Sequence, residues 1–149
     1  MSLEKKINED IKQAMLAKDQ RKLSALRSIK SALLIEKTGG QHEGEIPESV
    51  EAQLLQKQVK QRKESAETYE QQGRADLAEE ERYQAEIIEK YLPEQMSDEQ
   101  LKKEVESIIE ELGASSMKDM GKVMGTATKK LAGKADNKKI SEIVKQLLA

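Results

Sequence analysis

Residues 47–93 run PESVEAQLLQKQVKQRKESAETYEQQGRADLAEEERYQAEIIEKYLP, and the spacing of the apolar positions in this stretch decides the fold. Val50, Leu54, Val59, Ala66 and Tyr69 recur on one side of a helix instead of alternating in twos, as they would in a half-buried strand. Pro47 suits the first turn of that helix, where its missing N–H would have had no partner anyway. Gly73 stops it, and Asp76 followed by Glu79 has the spacing of a capping box for the next helix, buried through Leu77, Ile87, Ile88 and Tyr91. Two long helices joined by so short a turn must lie antiparallel, which sets Arg62 opposite Ile87 and Ala66 opposite Tyr83. The three tyrosines are expected to pack through their rings with the hydroxyls in water.

The same period continues on both sides. Ser2 caps a first helix to about Ala17, with Leu3, Ile7, Ile11, Ala14 and Met15 inward, and Asp19 caps a second through Leu23, Leu26, Ile29 and Leu33 until Gly39 and Gly40. Beyond Leu92, Pro93 closes the fourth helix, and the tract Pro93–Met96 is the expected domain boundary. Ser97 with Gln100 starts a fifth helix carrying Leu101, Val105, Ile108 and Leu112. Ser115 or Ser116 caps a sixth with Met117, Met120, Val123, Met124, Ala127 and Leu131, and Asp136 caps a seventh with Ile140, Ile143, Val144, Leu147 and Leu148. No strand is expected. The fold class is all-α: an N-terminal four-helix domain over 1–93 with a long helical hairpin, and a C-terminal three-helix bundle over 94–149.

With 149 residues, 36% of them hydrophobic, the chain supports only a modest core, and a large catalytic machine is not expected. There is no Cys, Trp or Phe, which removes disulfides, thiol chemistry, Cys-based zinc sites and a broad base-stacking platform. The longest apolar run, Ala32–Ile35, is far from the roughly 20 residues of a membrane span. Early acids at Glu4, Glu9 and Asp10 argue against a secretory or transit peptide, so a cytoplasmic location without membrane attachment is expected. His42, the one histidine, lies in a polar loop from Thr38 to about Ile46 and reads as solvated. The acids Glu79–Glu81 suit a helix start. Gly121-Lys122 and Gly133-Lys134 lack the Ser or Thr that a phosphate-binding loop requires next. No catalytic residue, metal site or cofactor is expected.

Gly121 and Gly125 are the informative glycines, because each lies inside the sixth helix and costs about 1 kcal/mol there relative to Ala. Their spacing puts them on one face beside Lys122 and Lys129. Either the face packs closely inside the small domain, or it lets another backbone, protein or sugar-phosphate, come near. Charge is the second signal. Residues 115–149 hold eight Lys against Asp119, Asp136 and Glu142, whereas 94–114 hold two Lys against seven acids; residues 1–37 hold nine bases against five acids. A polarised domain beside two unexplained glycines points to an anion, with Lys118, Lys122, Lys129, Lys130, Lys134 and Lys138 as the contacts.

Lys60-Gln61-Arg62-Lys63-Glu64-Ser65 with Tyr69 and Gly73-Arg74, Tyr91-Leu92-Pro93, Asp119-Met120-Gly121-Lys122-Val123-Met124-Gly125 and Gly133-Lys134-Ala135-Asp136 together resemble the YqeY family. The C-terminal part of that family is similar to the tail domain of the B subunit of the glutamine-dependent Asp/Glu-tRNA amidotransferase. Asn137 departs from the Gly expected after the Ala-Asp pair, though Asn tolerates a left-handed backbone better than most residues.

The resemblance implies a helical N-terminal domain, a three-helix tail that contributes to holding tRNA, and a motif surface of Lys60, Arg62, Lys63, Tyr69 and Arg74. It also implies a family label of carbon–nitrogen ligase with glutamine as amide donor. Acting alone, such an enzyme needs an ATP site and an amidase nucleophile, and the sequence displays neither. The expected function is a non-enzymatic binder of tRNA or another structured RNA, with an amidotransferase or tRNA synthetase as possible partner. The alternative is a helical adaptor that binds proteins through the hairpin.

Overall fold

A computed structural model describes residues 2–39 and 45–149. The described residues form seven α-helices and no strand: α1 Leu3–Leu16, α2 Gln20–Thr38, α3 Glu48–Gln71, α4 Ala75–Glu89, α5 Asp98–Leu112, α6 Met120–Lys130 and α7 Asn137–Leu148. The chain divides into two compact units, Met1–Leu92 and Pro93–Ala149. His42 lies outside the described residues.

In the N-terminal unit, Ile7, Leu26, Ile29, Leu55, Val59 and Ile88 bury together between α1, α2, α3 and α4. Ser2 and Asp19 cap α1 and α2, accepting from the amides of Lys5 and Lys22. The turn between these helices holds Lys18 at φ 57, the one non-glycine residue with positive φ among those described. Left-handed backbone brings the Cβ of an L residue against its own carbonyl. Lys18→Gly should therefore raise stability by about 1 kcal/mol, read as a higher denaturant midpoint at unchanged slope.

The hairpin of α3 and α4 departs from expectation at its turn. Gly73 takes φ 74, and the Arg74 amide donates to the Tyr69 carbonyl at 2.8 Å. The chain then enters α4 directly at Ala75, with Arg74 in the cap position and no side-chain capping hydrogen bond. Asp76 is therefore a first-turn residue, and the capping box with Glu79 does not form. The Leu77 amide, and after it Arg74, holds the Asp76 carboxyl below its ordinary range.

Arg62 is partly buried, with its guanidinium committed to neighbouring helices. Its Nη1 donates to Glu81 and its Nη2 to Ser28 Oγ, both at 3.2 Å, while Gln58 Nε2 donates to the Ser28 carbonyl at 3.0 Å. These bonds form a polar seam joining α2, α3 and α4. The tyrosine hydroxyls are not uniformly wet either: that of Tyr91 donates to Asp10. Burial, then that hydrogen bond, pushes the Tyr91 phenol above its usual range. Tyr83 carries the Arg21 guanidinium 4.0 Å above its ring. Met15, expected inward, is 56% exposed, because it lies about 100° around α1 from buried Ala14.

The C-terminal unit buries Leu101, Val105, Ile108, Val123, Ala127, Ile140 and Val144 among α5, α6 and α7. Both halves of the Ser97–Gln100 capping box are present, and Gly113 ends α5 at φ 65. Asp136 caps α7 by accepting from the Lys138 amide. Asn137 is the first helical residue of α7, so the turn needs no left-handed backbone there. The Pro93–Met96 tract is tied to this unit: the Met96 amide donates to the Lys134 carbonyl at 2.9 Å and Gln95 Nε2 to the Gly133 carbonyl at 2.6 Å. Helix six starts later than expected. Ser116 caps a short 3-10 turn, Met117–Asp119, before α6 begins at Met120, which leaves Met117 exposed instead of inward.

Candidate nucleic-acid interface

The α6 sequence has two unlike sides. Val123 and Ala127 are fully buried, with Met120, Met124 and Leu131 packed around them. The opposite side presents Gly121, Lys122, Gly125 and Lys129, all exposed. A Cβ built on Gly121 or Gly125 meets nothing within 4 Å. Packing within the domain therefore does not explain these glycines. At 3.6 residues per turn the bare backbone of residues 121 and 125 forms a shallow strip, and Lys122 and Lys129 both lie along the same edge of it.

Lys118, in the 3-10 turn just before α6, is also exposed, and it forms no ion pair among the described residues; nor do Lys122, Lys129, Lys134 and Lys138. Lys130 stands apart from this group. It points toward α5, where its Nζ lies 3.4 Å from Glu111, so it is a helix-to-helix tie and not part of the glycine face. Lys139 is likewise committed, 2.7 Å from Asp98, and the hydrogen bond to Asp98 raises its pKa. The pairing thus sorts the bases of this unit: those facing the acidic α5 are neutralised, and those on the glycine side are left without carboxylates. Nothing in the sequence alone makes this distinction, because it depends on which turn of α6 faces α5.

The residues 60–74 are less coherent as a site. Lys60 is exposed, Lys63 is held 2.5 Å from Glu89, and Arg74 lies 3.5 Å from Asp76. Tyr69, half-buried, lines a shallow polar strip on α3 with Gln61, Glu64, Ser65, Thr68 and Gln72. Arg62 belongs to the interhelix seam. No group of three His, Asp or Glu among the described residues is placed to hold a metal ion.

A family model described as Yqey-like protein matches residues 4–148. The chain belongs to the YqeY family. A curated relative of this YqeY chain is "Altered inheritance of mitochondria protein 41, mitochondrial" from Clavispora lusitaniae, 37% identical over 108 residues. The aligned part is 71% of the YqeY chain and 62% of that protein, so the match leaves more than a third of the relative's length outside it. Among the described residues, no helix of the YqeY chain is long and apolar enough to cross a membrane.

Proposed function

We propose that this YqeY chain is a non-enzymatic RNA-binding module, with tRNA as the favoured ligand, acting in the setting of tRNA-dependent amidation beside an amidotransferase or a tRNA synthetase. The observation that carries the reading is the α6 face: two helix glycines with open space above them, bordered by Lys118, Lys122 and Lys129 without carboxylate partners. Glycine in a helix is a standing cost, and here no neighbour within the domain benefits from it. A ligand that needs both close backbone approach and positive charge would benefit, and a sugar-phosphate strand has both requirements. No aromatic residue occurs between positions 94 and 149, so recognition is by shape and backbone and not by stacked bases. The tRNA-holding role of the similar tail domain supports the same ligand. The cytoplasm is the proposed compartment; the name of the relative assigns that protein to mitochondria.

The test is the salt dependence of tRNA binding. Three to five phosphate contacts give a log–log slope of about −3 to −4.5, so affinity should fall roughly 50- to 500-fold between 50 and 200 mM salt. Binding that ignores salt would refute a phosphate-dominated interface. A second reading, a protein adaptor, draws on the α3 strip of Tyr69 with Gln61, Glu64, Ser65, Thr68 and Gln72, a polar surface with a single charged side chain on a chain with 36% charged residues. Its discriminating outcome is a partner captured equally well after nuclease treatment.

A further inference from the structure

The α1–α2 layer of the N-terminal unit contains a second strongly charged surface. Its acids are mostly engaged within the unit. Glu4 pairs with Lys37 at 3.4 Å, Asp10 accepts from the Tyr91 hydroxyl, Asp19 caps α2, and Glu36 also has a partner. Only Glu9 stands exposed with none among the described residues. The bases behave differently. Lys5, Lys12, Arg27 and Lys30 are all exposed and form no ion pair among the described residues.

Helix geometry gathers these four. On α1, Lys5 and Lys12 are seven residues apart, two turns, and share the side away from buried Ile7 and Ala14. The Glu4–Lys37 pair marks the antiparallel register of α1 and α2, which puts residue 12 level along the helix axes with the stretch of α2 that carries Arg27 and Lys30. Two short rows of cations therefore run along neighbouring helices, whose axes are about 8 to 10 Å apart. Met15 with Leu16, at the end of α1, and Leu34 with Ile35, near the end of α2, are exposed on the same pair of helices. Because α1 and α2 run antiparallel, the two apolar pairs lie toward opposite ends of the layer and do not merge into one continuous apolar patch of the kind that marks a protein or bilayer contact. The surface is defined by charge, and its complement is a polyanion.

We infer that Lys5, Lys12, Arg27 and Lys30 form a second RNA-backbone contact, on the N-terminal unit, separate in residues from the α6 face. The inference rests on the RNA reading proposed above for its ligand and on none of the same side chains. Two weak phosphate contacts on one chain raise each other's effective concentration when a single RNA spans both. Glu9, next to Lys5 and Lys12 on α1, opposes the ligand.

The experiment measures binding of the full chain to bulk tRNA and to phosphatidylserine vesicles, with helicity checked throughout. Lys12→Glu with Arg27→Glu should weaken tRNA binding at least tenfold and lower the salt slope by about two, both in the parent chain and in one already carrying Lys122→Glu and Lys129→Glu. Glu9→Gln should act in the opposite direction, strengthening binding about two- to threefold, a gain that misfolding cannot produce. If the α1–α2 reversal leaves tRNA binding unchanged while the α6 reversal weakens it, the inference is overturned and the α6 reading stands. If the α1–α2 reversal weakens binding and the α6 reversal does not, the inference stands and the α6 reading falls. Binding to vesicles without tRNA binding overturns the inference in favour of a membrane surface, and binding to neither overturns both.

Discussion

Replacing Gly121 and Gly125 together by alanine is expected to stabilise the C-terminal unit and weaken its hold on RNA. The two effects have separate causes. Gly125 sits inside α6, where alanine lowers the conformational freedom of the unfolded chain and improves helix propensity by about 1 kcal/mol; Gly121, in the first turn, gives less. Neither methyl group meets an atom within 4 Å, so no clash offsets the gain. Stability should therefore rise by about 1 to 2 kcal/mol, or several degrees in melting temperature for a unit of this size. On the ligand side, the added methyl groups hold a phosphate strand away from the backbone, and loss of one contact corresponds to about an eightfold drop at 0.1 M salt. A variant that is more stable and binds equally well would show that the glycines have no part in the interface.

The larger functional effect is expected from Lys122→Glu with Lys129→Glu. Each cation that neutralises a phosphate contributes about 0.9 log units at 0.1 M salt through released counterions, so losing two weakens binding roughly 60-fold, and the two new negative charges add to that. The salt slope should become shallower by about two. Different tRNAs should be affected alike, because these side chains meet backbone and not base edges. Both residues are exposed and free of ion pairs among the described residues, so helicity should be unchanged. Lys130→Glu supplies the contrast. It breaks an exposed tie to Glu111 without touching the glycine face, and tRNA affinity should fall by much less. Equal losses from all three lysines would mean that net charge, and not this face, governs binding.

What could be read from the sequence follows the distance over which each feature is decided. The Ser97–Gln100 box and the Asp136 cap are settled within four residues, and both form as their letters imply. The Asp76–Glu79 pair has equally good letters and fails because of what precedes it. Gly73 and Arg74 complete the end of α3 in such a way that no extended residue is left to serve as a cap. Arg62 shows the longer range: its partner Ser28 lies 34 residues away on another helix, and a motif that groups it with Lys60 and Lys63 contains no trace of that bond. At the α6 face, glycine spacing and local charge marked the place, but two facts required coordinates. One is that space above the glycines is open; the other is that Lys130 and Lys139 are paired while Lys122 and Lys129 are not.

The tyrosines carry a consequence of a different kind. Tyr69, Tyr83 and Tyr91 all lie in the N-terminal unit, and the chain has no Trp or Phe. Every near-ultraviolet chromophore therefore reports on one unit, with Tyr83 stacked under Arg21 and Tyr91 bonded to Asp10, while the C-terminal unit is optically silent at those wavelengths. Tyrosine emission follows the first unit alone, whereas helical ellipticity sums both. A melt recorded in the two signals resolves the halves of the molecule without any label, and alanines at 121 and 125 should shift ellipticity while leaving emission where it was.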